Sequence, residues 1–235
     1  MRKPERLSLQ CENLDEILGG GLESGVITNV YGESGSGKTN LCVQAVASCL
    51  EEGGTVIFID TEGGLSPERV LQMHDDEESL SRLLMMDPMT FEEQEELFDQ
   101  LESIAAEEQP DLIVVDSLVA LYRLRMGEED DVSETNRELS RQLSVLSRIA
   151  RRDSIPVLVT NQVYSAFDSD EVRMVGRDVP TYWSKCLIKL ETIAPNHRRA
   201  VLKKHRSRPE GLEAEFTIAA EGLDTSDKEP ELQLY

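Results

Sequence analysis

The chain has 235 residues, enough for one sizeable hydrophobic core, and two full domains would be crowded. Lys and Arg total 24 against 46 Asp and Glu, a net charge of −22 spread over "HDDEE", "EEQEEL" and "GEEDD" rather than held in one block. That balance excludes a broadly basic nucleic-acid binder, so any DNA contact must be local; it suits a solvated surface adapted to a very salty cytoplasm, or an acidic partner-binding patch.

The opening "MRKPERLSLQ" has no apolar stretch behind its charges, and no apolar run reaches the length of a membrane span. A soluble, cytoplasmic protein is therefore expected, with no membrane contact. Cys11, Cys42, Cys49 and Cys186 form no C-x-x-C pair, which argues against zinc, and Cys42 and Cys49 read as small buried apolar residues.

In chain order, "GVITNVYG" (Gly25–Gly32) reads as a strand ending in glycine, and "TNLCVQAVASCLEEGG" as a helix stopped by Gly53-Gly54. "TVIFID" (Thr55–Asp60) is an apolar run suited to a strand covered on both faces. A long polar helix is expected next, with Phe91, Leu97, Phe98, Leu101 and Ile104 on one side. "DLIVVDS" is a second buried strand; "ETNRELSRQLSVLSRIARRD" places Leu139, Leu143, Leu146 and Ala150 at helical spacing; "IPVLVTNQV" is a third buried strand. This alternation predicts a parallel sheet with helices on both faces. Beyond Tyr182, "CLIKLETI", "RAVLKKHRS" and "AEFTIAAEG" predict short antiparallel additions to the sheet edge. One core domain over 1–222 is expected, followed by a mobile tail over 223–235.

Gly32-Glu33-Ser34-Gly35-Ser36-Gly37-Lys38-Thr39 fits G-x-x-x-x-G-K-[ST], between a strand and a helix. Such glycines let successive N–H groups point at one anion, and the helix adds the positive end of its dipole. Lys38 can reach the β- and γ-phosphates, and the Thr39 hydroxyl can ligate Mg²⁺. Asp116, closing "LIVVD", is the carboxylate such a magnesium–triphosphate site needs. Glu62, just past "FID", is placed to orient an attacking water, and Gln162, just past "LVT", to report the γ-phosphate. ATP and Mg²⁺ are thus the expected ligands.

With these segments in place, "LDEILGGGLESGVITNVYGESGSGKTNL", "FIDTEGGLSPERV", "LIVVDSLVALYR" and "VLVTNQV" resemble the RecA/RadA recombinase core over Leu14–Gly222. The phosphate loop alone fits many families; the "DTEG…PER" and "TNQV" pair is far more specific. Within the family, "SGSGKTNLC" and "KKHRSRPEGL" look most like an archaeal paralogue implicated in recombinational repair. The resemblance implies a RecA-like P-loop ATPase core: an α/β fold with a twisted, mostly parallel sheet, helices on both faces and antiparallel C-terminal strands. It implies Glu62 as catalytic glutamate, Arg69 near the adenine, Asp116 as the Walker B residue and Gln162 as a sensor leading into a second DNA loop. Arg123 and Arg125 fall where a first DNA loop begins. Lys204 and Arg206 resemble a K-x-R pair inserted into a neighbour's γ-phosphate site; a solvated basic strand or a DNA-phosphate patch are alternatives for Arg198–Arg208.

The sequence departs from full recombinases in two respects. The phosphate loop starts about thirty residues in, where those proteins carry a further DNA-binding domain and a phenylalanine-containing linker ahead of it. The candidate second DNA loop, Tyr164–Pro180, sets Asp168, Asp170, Glu171 and Asp178 against Arg173 and Arg177, a net charge of −2. Tyr164, Phe167, Tyr182 and Trp183 could stack on bases, or belong to the core. The expected function is a weak ATPase that binds single-stranded or branched DNA, assists a RadA-type recombinase, possesses no strand exchange of its own and is capable of self-association. A KaiC-like signalling ATPase and a nucleotide-gated scaffold are the alternatives.

Overall fold

A computed structural model of the chain describes residues 5–128, 132–165, 172–176 and 178–225. Two short strands, β1 (Arg6–Leu7) and β2 (Leu22–Glu23), pair antiparallel around helix α1 (Glu12–Leu18). Then come β3 (Ile27–Gly32), α2 (Lys38–Glu51), β4 (Val56–Asp60), α3 (Pro67–Met73), a 3₁₀ turn (Glu77–Arg82), β5 (Leu83–Met86) and α4 (Phe91–Glu108). The chain continues through β6 (Leu112–Asp116), α5 (Ala120–Glu128), α6 (Val132–Asp153), β7 (Val157–Ser165), β8 (Val172–Met174) and α7 (Asp178–Trp183). It closes with β9 (Cys186–Ala194), β10 (His197–Lys204), β11 (Glu213–Ala219) and β12 (Gly222–Asp224).

The main sheet runs β12-β11-β10-β9-β3-β7-β6-β4-β5, parallel from β9 to β5 and antiparallel from β9 to β12, with β8 attached to β7. "VIFID" and "LIVVD" are wholly buried because helices cover both faces, and their side chains divide by strand period. Val56, Phe58, Leu112 and Val114 join the core under α2. Ile57, Ile59, Ile113 and Val115 join the core under α4, α5 and α6, where Leu139, Leu143, Leu146 and Ala150 bring the apolar stripe of α6. Burying one side chain of Phe58's size contributes roughly 1.5–3 kcal/mol.

Helix starts follow local chemistry. Ser66 Oγ accepts from Arg69 N–H at 3.2 Å ahead of Pro67, and Thr90 Oγ1 accepts from Glu93 N–H at 3.2 Å while the Glu93 carboxylate accepts from Met89 N–H.

Three features differ from the sequence expectations. The long polar helix is α4, which carries Phe91, Leu97, Phe98, Leu101 and Ile104, but it does not follow β4 directly: α3, the 3₁₀ turn and β5 ("LLMM"), parallel to β4 at the sheet edge, come first. Leu and Met carry no β signature, so edge pairing decides this segment and not propensity. The first added strand, β9, lies parallel to β3, and the antiparallel turn-back starts at β10. Past the boundary expected at Gly222, β12 continues to Asp224, with Leu223 buried and its N–H donating to Gln44 Oε1 at 2.9 Å. Residues 226–235 of the expected tail lie outside the described residues.

The cysteines are free and buried, and burial pushes the Cys11 and Cys186 thiols up to about 11 and about 12. Among the described residues no helix is long and apolar enough to cross a membrane.

Candidate nucleotide site

The carboxyl ends of β3, β4, β6 and β7 are neighbours in the sheet, and the sequence-predicted residues gather there. Gly32 closes β3 where only glycine fits: a built Cβ would lie 2.5 Å from the Leu190 carbonyl oxygen and 2.7 Å from Ser36 Oγ. Gly35 (φ +75°) and Gly37 (φ +97°) hold left-handed backbone, which curls the loop into the start of α2. Glu33, Ser34 and Gly35 form its exposed apex.

Inside the loop, donors converge on one acceptor. The Glu33 carbonyl accepts from Ser36 N–H at 3.2 Å and from Lys38 Nζ at 2.9 Å; Lys38 also donates to the Gly32 carbonyl at 3.0 Å. An anion entering the loop competes with that carbonyl for the same donors. Burial lowers the Lys38 pKa, and the charges of Glu62 and Asp116 oppose that shift.

Asp116 is 3 % exposed at the end of β6. Its Oδ1 accepts from the Thr160 hydroxyl on β7, and its buried Oδ2 has no hydrogen-bond partner. Burial raises its pKa; the hydroxyls of Thr160 and Thr39 counter this, and Glu62 and Asp60 add to it. An unpartnered carboxylate oxygen with Thr39 at hand fits Mg²⁺, a hard cation that takes one or two protein oxygens and fills its shell with water and phosphate. Thr39 and Asp116 would hold it, and when bound it neutralises charge on the β- and γ-oxygens.

Glu62 is exposed in the turn after β4, and the sequence analysis missed what holds that turn. Asp60, 4 % exposed, accepts from the N–H groups of Glu62 (3.1 Å), Gly63 (2.8 Å) and Gly64 (3.2 Å) at Oδ1 and of Leu65 (2.9 Å) at Oδ2. The adjacent Thr61 hydroxyl donates to the Ser117 carbonyl at 2.7 Å and accepts from Ser117 N–H at 3.0 Å, tying the turn to the end of β6. An Asp followed by two glycines within four residues, "DTEGG", was the available signal. So placed, Glu62 Oε1 accepts from Gln162 Nε2 at 2.7 Å, and Gln162 Oε1 accepts from Arg123 on α5. The Gln162 carbonyl accepts from Val175 N–H at 3.0 Å, and buried Asn161 donates from Nδ2 to the Val175 carbonyl at 3.2 Å.

The other candidate cations, Arg69, Arg125, Lys204 and Arg206, are each engaged within the chain. Arg69 donates to the Ala220 (2.6 Å) and Ala219 (2.8 Å) carbonyls, to Gln72 (2.8 Å) and to Asn40 Oδ1 on α2 (3.3 Å), which docks α3 beside the phosphate-loop helix. Arg125 pairs with Glu92. Lys204 Nζ donates to the Thr181 (2.8 Å) and Ser184 (2.9 Å) carbonyls behind α7, and burial lowers its pKa. Arg206 pairs with Glu23. The β9–β10 register puts Lys204 at the opposite end of the sheet from its own phosphate loop. Arg198, expected from the sequence to belong to a solvated basic strand or a DNA-phosphate patch, reaches that loop and donates to the Gly35 carbonyl at 3.1 Å. Of the candidate second DNA loop, Phe167, Asp168, Asp170, Glu171 and Arg177 lie outside the described residues. Tyr182 is 73 % exposed, with its ring edge-on to Trp183, which is anchored by Nε1 donating to Ser140 Oγ at 3.1 Å.

Comparison with known proteins places this geometry. A model of the Rad51 family matches residues 4–226. The DNA repair and recombination protein RadB of Methanococcoides burtonii is 43% identical over 221 residues, covering 93% of this chain and 97% of that protein. The protein of the same name from Methanothermobacter thermautotrophicus is 40% identical over 219 residues, covering 90% and 92%. A solved structure described as the crystal structure of the RadB recombinase superposes with a TM-score of 0.82 at 40% identity, covering 94% of this chain and 100% of that one.

Proposed function

This chain belongs to the Rad51 family, and from that premise we propose that it is an ATP-binding protein of DNA repair and homologous recombination. In this reading it touches DNA locally, assists or regulates a RadA-type recombinase, hydrolyses ATP slowly and performs no strand exchange itself. The observation that carries the ATP reading is the convergence of Lys38, Asp116, Glu62 and Gln162 on one crevice, with Asp116 Oδ2 buried and unpartnered.

The loop N–H groups and Lys38 bind the triphosphate, and Glu62 orients the attacking water and takes up its proton. Slow turnover fits a catalytic glutamate already engaged by Gln162 and a lysine engaged by its own loop, since both contacts compete with productive ones. A net charge of −22 supports work at high salt, where phosphate contacts contribute less and a partner's hold on DNA matters more. The test is assembly of a RadA-type recombinase on single-stranded DNA with and without this protein. Faster or more persistent assembly in ATP, lost with Lys38→Ala, supports the reading; no effect of the wild-type protein contradicts it.

A further inference from the structure

Arg198 sits at the start of β10, outside the strand–loop–helix unit that makes the phosphate site. Its guanidinium forks. Nη1 donates to the Ala194 (3.2 Å) and His197 (3.0 Å) carbonyls of its own β9–β10 turn, and Nη2 crosses to the Gly35 carbonyl (3.1 Å). Its Nε is buried without a hydrogen-bond partner. A Cβ built on Gly37 would lie 3.6 Å from that Nε and 3.0 Å from Ile218 Cδ1 on β11, so the antiparallel hairpin packs directly against the loop.

A trans peptide points its C=O and N–H in opposite directions. Holding the Gly35 carbonyl outward therefore turns the Ser36 N–H inward, where it meets the Glu33 carbonyl together with Lys38 Nζ. We infer that Arg198 is a positioning residue of the nucleotide site: by fixing the Gly35–Ser36 peptide it keeps the loop donors converged on the place a phosphate takes. The guanidinium also puts a fixed positive charge behind an exposed, glycine-rich loop that would otherwise lose more backbone freedom on binding. A lysine keeps the charge but cannot span the turn and the loop with one rigid fork.

The inference rests on the reading of Gly32–Thr39 as an ATP site, and one titration series separates the two. Binding of Mg–ADP and of a non-hydrolysable Mg–ATP analogue is measured by calorimetry for the wild type, Lys38→Ala, Arg198→Ala and Arg198→Lys, with nucleotide-free melting recorded for each. Arg198→Ala is expected to weaken both nucleotides together by about tenfold, as for loss of a charge-assisted hydrogen bond, and Arg198→Lys by a smaller factor. An Arg198 that only staples the hairpin would lower the melting temperature and leave both dissociation constants unchanged; that result overturns the inference. Should Arg198→Ala not fold, Arg198→Lys decides by the same criterion. If the wild type binds no better than Lys38→Ala, the site reading itself fails and the inference with it.

Discussion

Gln162 stands between Glu62 and Arg123, donating from Nε2 to Glu62 Oε1 at 2.7 Å and accepting the Arg123 guanidinium at Oε1. One amide thus links the turn after β4, the end of β7 and helix α5, the elements the resemblance assigns to hydrolysis, sensing and the first DNA loop. Any change in the orientation of this amide therefore alters its contacts with both Glu62 and Arg123.

Removing either end of this link should separate binding from turnover. Glu62→Gln is expected to retain Mg–ATP binding within about threefold and to lose turnover by about 10² or more, the usual worth of a positioned base. Gln162→Leu is expected to bind equally well and to lose any response of turnover to single-stranded DNA. Equilibrium binding and steady-state hydrolysis, measured side by side, check both.

Asp60 acts on Glu62 through the backbone. Asp60→Asn replaces one carboxylate oxygen with a donor, so either the Leu65 N–H or the Glu62–Gly64 group of N–H donors faces another donor. The expected cost is about 1–3 kcal/mol in stability, with turnover falling further than nucleotide affinity because the Glu62 turn loosens. Denaturant unfolding and a kcat-against-KM comparison test this; an unchanged midpoint would rule out the carboxylate as the turn's anchor.

The raised pKa of Asp116 makes a signed prediction for pH. In the nucleotide-free protein its folded pKa lies above the unfolded value, so its contribution is fully present below the ordinary carboxylate range and is lost as pH rises through the folded pKa. At neutral pH, Asp116→Asn should therefore melt higher than the wild type without nucleotide, the gap closing in acid. With Mg–ATP present the order should reverse, because the variant loses the ligand's stabilisation. Melting curves of both proteins across pH, with and without Mg–ATP, decide it.

Gly37 carries a steric claim. Its φ of +97° strains any L side chain, and an added Cβ would press on Ile218 Cδ1 at 3.0 Å, so that the isoleucine must give way. Gly37→Ala should weaken nucleotide binding by about tenfold, from left-handed strain of about 1–2 kcal/mol. A titration showing wild-type affinity would mean that the loop tolerates the extra carbon.

What was legible in the sequence was local. The phosphate loop is contiguous, "LIVVD" and "VLVTNQV" announce themselves as buried strands, and the polar residue near the end of each, Asp116 and Gln162, lands in the crevice because parallel strands all present their carboxyl ends to one side. The unread parts depend on distant partners. Arg198 meets Gly35 across a long span of sequence, and nothing in "NHRRAV" singles it out from its neighbour Arg199, which pairs with Glu215 instead. Lys204 looks like a free cation until α7 is in place to present the Thr181 and Ser184 carbonyls. "LLMM" becomes a strand only because β4 offers an open edge.

The most direct test of the account is steady-state ATP turnover by the wild-type protein in molar KCl, with and without single-stranded DNA, against Lys38→Ala and Glu62→Gln. Slow hydrolysis clearly above the Lys38→Ala blank is expected for the wild type, with Glu62→Gln slower by about 10² or more. A wild-type rate equal to the blank, while ATP still binds, would mean that the nucleotide is sensed and not consumed, and would contradict the role given to Glu62.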